Sequence, residues 1–115
     1  MMMIQAGDVA ILHWEQDVRI DTVDGFKQAV WELREQAQKQ LILDLQGVQY
    51  LNSLSLGIIS ETVVSARRQE KEMVVAGISE TVAEIFTIVK FHKFIRLFKQ
   101  REEALAYFSH GQLQS

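Results

Sequence analysis

The side chains that could do chemistry in this chain are few, and its three histidines are the first candidates. His13, His92 and His110 lie far apart, and none stands at strand or helical spacing from another histidine or a carboxylate pair. A metal site needs such spacing because its ligands must meet at one point. The chain also lacks cysteine, which excludes disulfides, thiolate metal sites and thiol nucleophiles. We therefore expect no metal.

Serine is the second candidate, because Ser53 and Ser55 share one short polar segment behind Asn52. Neither lies in a Gly-x-Ser-x-Gly nucleophile elbow, and the chain has no Gly-x-x-x-x-Gly-Lys or Gly-x-Gly-x-x-Gly phosphate-binding motif. The sequence therefore supports no hydrolase, kinase or dehydrogenase. We expect no enzymatic activity and no cofactor.

Length and composition limit the class of partner. The chain has 115 residues and a net charge of −3, which fits one domain over residues 1–115 and offers no overall positive field for nucleic acid. No run approaches the roughly 20 apolar residues of a membrane span, and the first residues lack the basic start of a secretory leader. We therefore expect a cytoplasmic protein with neither a nucleic-acid nor a membrane partner. No feature of the sequence fixes its oligomeric state.

The elements that must position the two serines follow from hydrophobic patterning. Apolar and β-branched runs predict buried strands over Val9–Trp14, Leu41–Leu45 and Met73–Ala76, and shorter strands at Met3–Gln5 and Arg96–Phe98. Apolar residues at steps of three and four predict four helices, which begin near Thr22, Ser53, Glu80 and Arg101. Their predicted inner faces carry Val23, Phe26, Val30, Leu33 and Ala37; Leu56, Ile59, Val63 and Ala66; Val82, Ile85, Phe86 and Val89; and Leu105 and Phe108.

The alternation of strands and helices predicts the architecture. It favours a single α/β domain with a mixed, mostly parallel β-sheet, about four α-helices and right-handed crossovers. The leading strand pair accounts for the antiparallel part of the sheet. The loop Gln46–Asn52 then connects a buried strand to the helix that begins at Ser53.

The strand, loop and helix over residues 43–57 read LDLQGVQYLNSLSLG. A strand and helix start follow as VVAGISETV over residues 74–82, and the segments FIRLF and EEAL come after them. Together these segments resemble the STAS family, the domain of anti-sigma-factor antagonists and of sulfate-transporter tails. Its motif runs Leu-Asp-Leu-Ser-Gly-Val, an apolar pair, and Asp-Ser-Ser-Gly-Leu-Gly. The resemblance spans nearly the whole chain and implies a STAS-like fold.

The resemblance also implies a phosphorylation switch, from which this sequence departs. In the family's antagonists, an anti-sigma factor that is itself a kinase phosphorylates the serine two places after the loop's aspartate, and the phosphate breaks the complex. Here the aspartate is Asn52, the acceptor position is Leu54 and the following glycine is Ser55. Without gaps, a family aspartate upstream becomes Arg19. Leucine cannot be phosphorylated, so the usual control is lost at that position.

Three interpretations of Ser53 and Ser55 stay open. In the first, Ser53 is only the N-cap of the helix and Ser55 a residue of its first turn. In the second, one of the two serines has taken over phosphorylation. In the third, the loop binds its partner constitutively, with Leu54 as an exposed apolar contact.

The resemblance implies a binding protein in a bacterial-type partner switch, and its partner is a GHKL-type anti-sigma factor or serine kinase. We expect binding through the loop residues Asn52, Ser53, Leu54 and Ser55. Gly57 either contacts the partner as well or allows its helix to approach the sheet closely.

Two charged residues are expected to support this loop. Asp44 lies in an apolar strand and needs a hydrogen-bond partner if it is buried, which favours a bond into the loop. Arg19 is expected near the loop from the comparison with the family's upstream aspartate. As alternatives, the domain binds a small molecule or nucleotide at the same helix start, or is a non-catalytic subunit of a stressosome-type or transport assembly.

Overall fold

A four-stranded sheet organises the structure, a computed structural model that describes residues 1–113 and, for residues 111–113, the backbone alone. In chain order the elements are β1 (Met2–Ala6), β2 (Val9–His13), α1 (Val23–Arg34), β3 (Gln40–Asp44), α2 (Ser53–Arg68), β4 (Glu72–Ala76), α3 (Glu80–Ile88), a 3-10 turn (Phe91–Lys93) and α4 (Arg101–Leu113). The strand order is β1–β2–β3–β4. Since β1 is antiparallel to β2 and the other pairs are parallel, the predicted mixed sheet with four helices is confirmed.

Both faces of the sheet are covered, which explains why its central strands are apolar throughout. Successive side chains of a strand point to opposite faces. On one face Leu12 and Leu43 pack with α1 and α2 residues such as Phe26 and Ile59. On the other face Ile42 packs with Val9, Ile11, Val74 and Ala76 against α4, which contributes Ala104 and Phe108.

The predicted strand Arg96–Phe98 is wrong, because the chain forms only one parallel bridge there, between Val75 and Leu97. The Val75 backbone N–H donates to the Arg96 carbonyl (3.1 Å), and the Phe98 N–H donates to the Val75 carbonyl (2.9 Å). The chain reaches this point from the 3-10 turn and enters α4 at Arg101. The pairing with β4 is thus limited to this one bridge.

Two residues assigned to inner helix faces lie outside the helices and are exposed. Helix α1 ends at Arg34 and α3 at Ile88, so Ala37 and Val89 do not pack in the core. A residue distant in sequence fixes the end of α1: the Lys71 ammonium donates to the carbonyls of Arg34 (2.6 Å) and Gln36 (2.7 Å). This tertiary cap satisfies carbonyls at the helix end that a further helical turn would otherwise bind.

Candidate partner-binding loop

The candidate site is the β3–α2 loop (residues 45–52), together with the first turns of α2. It lies at the edge of the sheet where the parallel strands β2, β3 and β4 end. There the Trp14 N–H donates to the Asp44 carbonyl and the Leu45 N–H to the Ala76 carbonyl, both at 2.9 Å. In open α/β sheets this edge is where binding sites form.

Helix α2 begins with Asn52 as its N-cap, not Ser53. The Asn52 Oδ1 accepts from the Ser55 backbone N–H at 2.8 Å, and the Asn52 backbone is extended (φ −81°, ψ 173°). Asparagine caps helices as well as aspartate or serine does. The change from the family's aspartate therefore keeps the cap and removes a negative charge. Ser53 becomes the first helical residue, and it is exposed.

The two candidate serines differ sharply in environment. Ser55 is fully buried, and its hydroxyl donates to the Asn52 carbonyl at 2.7 Å. Ser53 is exposed, and Leu54 between them has 62% of its surface exposed. Ser53 and Leu54 are thus accessible at the start of α2, whereas Ser55 is not.

The segment Asp17–Arg19 holds the far half of the loop in place. Val18 and Leu51 form an isolated parallel bridge, with the Val18 N–H on the Tyr50 carbonyl (2.9 Å) and the Asn52 N–H on the Val18 carbonyl (3.1 Å). The Asp17 carboxylate accepts from the backbone N–H groups of Gln49 (2.7 Å) and Tyr50 (3.1 Å). One carboxylate thereby satisfies two consecutive loop donors that would otherwise depend on water.

Arg19 lies beside the loop. Its guanidinium sits 5.0 Å from the centre of the Tyr50 ring and 3.5 Å from the Asp17 carboxylate. The Thr22 hydroxyl steadies the same segment, since it accepts from the Arg19 N–H and donates to the Asp17 carbonyl, both at 2.9 Å. Sequence reasoning did not find Asp17, because nothing in an irregular segment indicates which loop its carboxylate will meet.

Asp44 fixes the start of the loop. It is fully buried; one oxygen accepts from the Gln46 N–H (3.1 Å) and the other from the Arg101 Nε (2.9 Å). The ion pair joins the end of β3 to the start of α4. Gly77 makes room for it: with φ +69°, a side chain there would be strained, and its Cβ would clash with the Asp44 carboxylate. The sequence predicted a bond from Asp44 into the loop but gave no sign of Arg101.

Three apolar side chains in and near the loop are accessible. Ile20 is 88% exposed, and Tyr50 and Leu54 are also exposed. Gly57 is exposed as well, and a Cβ added to it would meet nothing within 4 Å. Close packing of the helix on the sheet is therefore the wrong explanation for this glycine. An exposed stripe at steps of three and four runs down α2 through Leu54, Gly57, Glu61, Val64 and Arg68.

Metal-ligand clusters and membrane-spanning helices are two features that the described part of the chain does not contain. Across residues 1–113, no three histidine, aspartate or glutamate side chains gather as metal ligands would. The helices described are also too short or too polar to cross a bilayer. At the loop itself, the exposed side chains stand on a backbone that Asp17 and Asp44 hold by hydrogen bonds.

Comparison with known proteins identifies the family. The family model described as STAS domain matches residues 1–104. An anti-sigma-B factor antagonist of Staphylococcus aureus is 22% identical over 72 residues, which are 63% of this chain and 67% of that protein.

Two crystal structures extend the likeness in fold. A candidate anti-sigma factor antagonist from Thermotoga maritima superposes with a TM-score of 0.83 at 20% identity, covering 92% of each chain. An anti-sigma factor antagonist from Mycobacterium paratuberculosis gives 0.83 at 18% identity, covering 92% of this chain and 90% of its own. With the family match over residues 1–104, the conclusion is that the chain belongs to the STAS domain family.

Proposed function

We propose that this protein is an anti-sigma factor antagonist: a non-enzymatic, cytoplasmic binding protein that acts in a bacterial-type partner switch controlling transcription. The observation that carries the proposal is the exposure of Leu54 at the start of α2. It occupies the position at which the family's antagonists carry their phosphoacceptor. Tyr50 in the same loop and Ile20 next to Arg19 are exposed as well, and accessible apolar side chains of this size contribute to protein contacts.

The partner we propose is a GHKL-type anti-sigma factor or serine kinase. Two features support a specific complex with it. The loop is held by Asp17 on one side and Asp44 on the other, so little ordering is needed on binding. The exposed stripe on α2 continues the proposed binding surface along the helix beyond Leu54. Because Gly57 has no side chain, a partner's backbone can approach the helix closely there.

If phosphate controls this surface, Ser53 is the acceptor that we propose. Ser53 is exposed at a helix N-terminus, where free N–H groups and the helix dipole tolerate an anion. A phosphate there would add about −1.5 to −2 charge next to Leu54 and repel an apolar partner contact. Ser55 would have to leave its buried position before a kinase could reach it.

The test is recovery of partners from a native lysate by the tagged protein, read by mass spectrometry for the partner and for phosphate on the bait. We expect a GHKL-type ATPase with the wild type and with Ile88→Glu. We expect its loss with Leu54→Glu. Ile88 is the matched control because it is an exposed aliphatic residue at the far end of α3. Recovery that is equal for both variants, or no such ATPase with the wild type, contradicts the proposal.

A cleft beside the loop supports a second candidate, the binding of a small molecule or nucleotide. The cleft has a volume of about 460 Å³ and is lined by Gln46, Gly47, Gly77, Ser79 and Lys99, among others. It lies outside the carboxyl ends of β3 and β4, the usual ligand position in α/β sheets. A rise in melting temperature on nucleotide titration, abolished by Lys99→Glu, would favour this function over the partner switch.

A further inference from the structure

A second surface of the molecule stands apart from the β3–α2 loop, and its charge is unlike that of the rest. Between Glu84 and Glu102 the sequence contains no acid, whereas it contains five cations: Lys90, Lys93, Arg96, Lys99 and Arg101. Arg101 forms an ion pair with the buried Asp44, but the other four cations are exposed. A chain with net charge −3 thus concentrates positive charge in one segment. Lys99 lines the cleft beside the β3–α2 loop, so we call residues 88–96 the basic turn.

The basic turn also exposes large apolar side chains. Ile88 is 78% exposed, Val89 40% and Phe94 36%. Ile88 ends α3, and Lys90, with φ +63°, reverses the chain directly behind it. The end of α3 and the sharp turn after it thus bring two exposed aliphatic residues next to the exposed cations Lys90 and Lys93 in the chain.

The segment is firmly anchored, so its exposure is a fixed feature of the fold. Phe91 and Ile95 are buried. The Phe91 ring packs 5.5 Å from that of Phe86 in α3 and 5.4 Å from that of Phe94. The Arg67 side chain of α2 bonds the Phe94 carbonyl. Phe91 and Ile95 therefore anchor the turn in the core, and the three residues between them are exposed to solvent.

Cations extend from the turn along a neighbouring cleft. The cleft, about 550 Å³ in volume, is lined by Arg67, His92, Lys93, Phe94 and Arg96, among others. Glu72 also lines it, but its carboxylate is engaged by Arg96 at 3.5 Å and by the Tyr107 hydroxyl at 2.9 Å. The field in the cleft is therefore positive.

We propose that the basic turn docks on a membrane surface that contains anionic phospholipids. Cations attract lipid phosphates, while apolar side chains between them insert at the boundary of headgroups and acyl chains. A nucleic-acid backbone would use the cations but leave Ile88 and Val89 in water. No spanning helix is needed for such contact. The inference revises the expectation of no membrane partner, which rested on the absence of a long apolar run.

The test is co-sedimentation of the whole protein with vesicles at low ionic strength. One vesicle type is phosphatidylcholine alone, and the other contains one-third phosphatidylglycerol. We expect partition only into the anionic vesicles, and a loss of partition as salt rises. Because each cation near such a surface contributes on the order of 1 kcal/mol, Lys90→Gln/Lys93→Gln should lower the partition coefficient about tenfold or more. Ile88→Ser should also lower it at unchanged charge.

Matched controls separate the surface from the overall charge and from the loop. Lys27→Gln/Lys39→Gln makes the same change in net charge at positions outside the basic turn, and it should lower partition far less than the test pair. Leu54→Glu should bind vesicles nearly as the wild type does. Circular-dichroism melting confirms that each variant is folded. If the protein does not partition into anionic vesicles, the proposal is overturned, and an acidic protein becomes the favoured partner of the basic turn. Equal losses with both lysine pairs, or no loss with Ile88→Ser, would overturn it as well.

Discussion

At the scale of the residue, burial decides whether a serine in the first turn of α2 can carry a negative charge. Ser53 and Ser55 belong to the same helical turn, but Ser53 faces solvent and Ser55 is fully buried with its hydroxyl on the Asn52 carbonyl. A negative charge at the start of a helix is favourable by about 0.3–1 kcal/mol when it is exposed. A buried charge without a partner is strongly unfavourable.

We therefore expect Ser53→Asp to leave the free energy of unfolding unchanged or slightly raised, and to weaken capture of the anti-sigma partner. Ser55→Asp should lower the free energy of unfolding by more than about 2 kcal/mol. Urea denaturation followed by circular dichroism measures both, with Ser55→Ala to separate loss of the hydroxyl from addition of charge. If the two aspartate variants had the same free energy of unfolding, position 55 would have to be accessible to solvent.

Single residues are also where prediction from the sequence reaches its limit. A helix start near Ser53 was evident from the polar segment before an apolar repeat, but Asn52 and Ser53 are both good caps, and only the backbone selects one. Asp17 braces the loop across 32 residues of chain, and a contact of that kind has no local pattern. The sequence leaves two explanations for Gly57, a partner contact or close packing of its helix on the sheet, and the open space around it in the structure excludes the second.

At the scale of the element, the Asp44–Arg101 pair connects β3, the loop and α4. Asp44 is fully buried, while the Arg101 side chain is 29% exposed. Removing the cation leaves a buried carboxylate uncompensated, which typically costs about 3–5 kcal/mol, whereas removing both charges costs much less.

We expect Arg101→Gln to lower the free energy of unfolding by about 3 kcal/mol, because the Asp44 carboxylate stays buried. Adding Asp44→Asn should restore part of that loss. The control is Arg96→Gln, which removes an exposed arginine paired with Glu72 and should cost about 1 kcal/mol or less. Urea unfolding of the four proteins of the cycle gives the coupling. Additive losses would show that the pair does not act as a unit.

The order of elements could be predicted because strands and helices here have clear hydrophobic periods, but their ends could not. Lys71 ends α1 by bonding the carbonyls of Arg34 and Gln36, and it lies more than 30 residues away in sequence. The expected strand at Arg96–Phe98 has the composition of a strand, yet it pairs with β4 through only one bridge. Element ends are set by tertiary contacts that no local window contains.

At the scale of the whole molecule, two separate surfaces carry the proposed contacts. The β3–α2 loop lies at the carboxyl edge of the sheet and offers apolar residues on a braced helix start. The basic turn follows the other end of α3 and combines cations with protruding apolar side chains. Because they use different residues, Leu54→Glu and Ile88→Glu should separate protein capture from vesicle binding, so that each proposal can fail without the other.

The attachment of α4 to the sheet gives a prediction for the stability of the whole fold. The Tyr107 hydroxyl donates to the Glu72 carboxylate, 2.9 Å from each oxygen, and so ties α4 to β4. Burial raises the pKa of Tyr107 above its ordinary value of 10.0, and the hydrogen bond to Glu72 and its negative charge add to the rise, while Arg96 opposes it. The protonated phenol is therefore the form that the folded state favours.

A group whose pKa is raised by folding contributes stability below its unfolded pKa, and that contribution is lost as pH rises through the folded value. Tyr107→Phe should cost about 1–2 kcal/mol at neutral pH, because the lost hydrogen bond is made to a charged but partly exposed carboxylate. The difference in free energy of unfolding between wild type and Tyr107→Phe should then shrink as pH rises above 10.0. Urea unfolding of both proteins between about pH 7 and pH 11 measures it. If the difference in free energy of unfolding between the two proteins stays constant over this range, ionisation of Tyr107 does not weaken the attachment of α4 to the sheet.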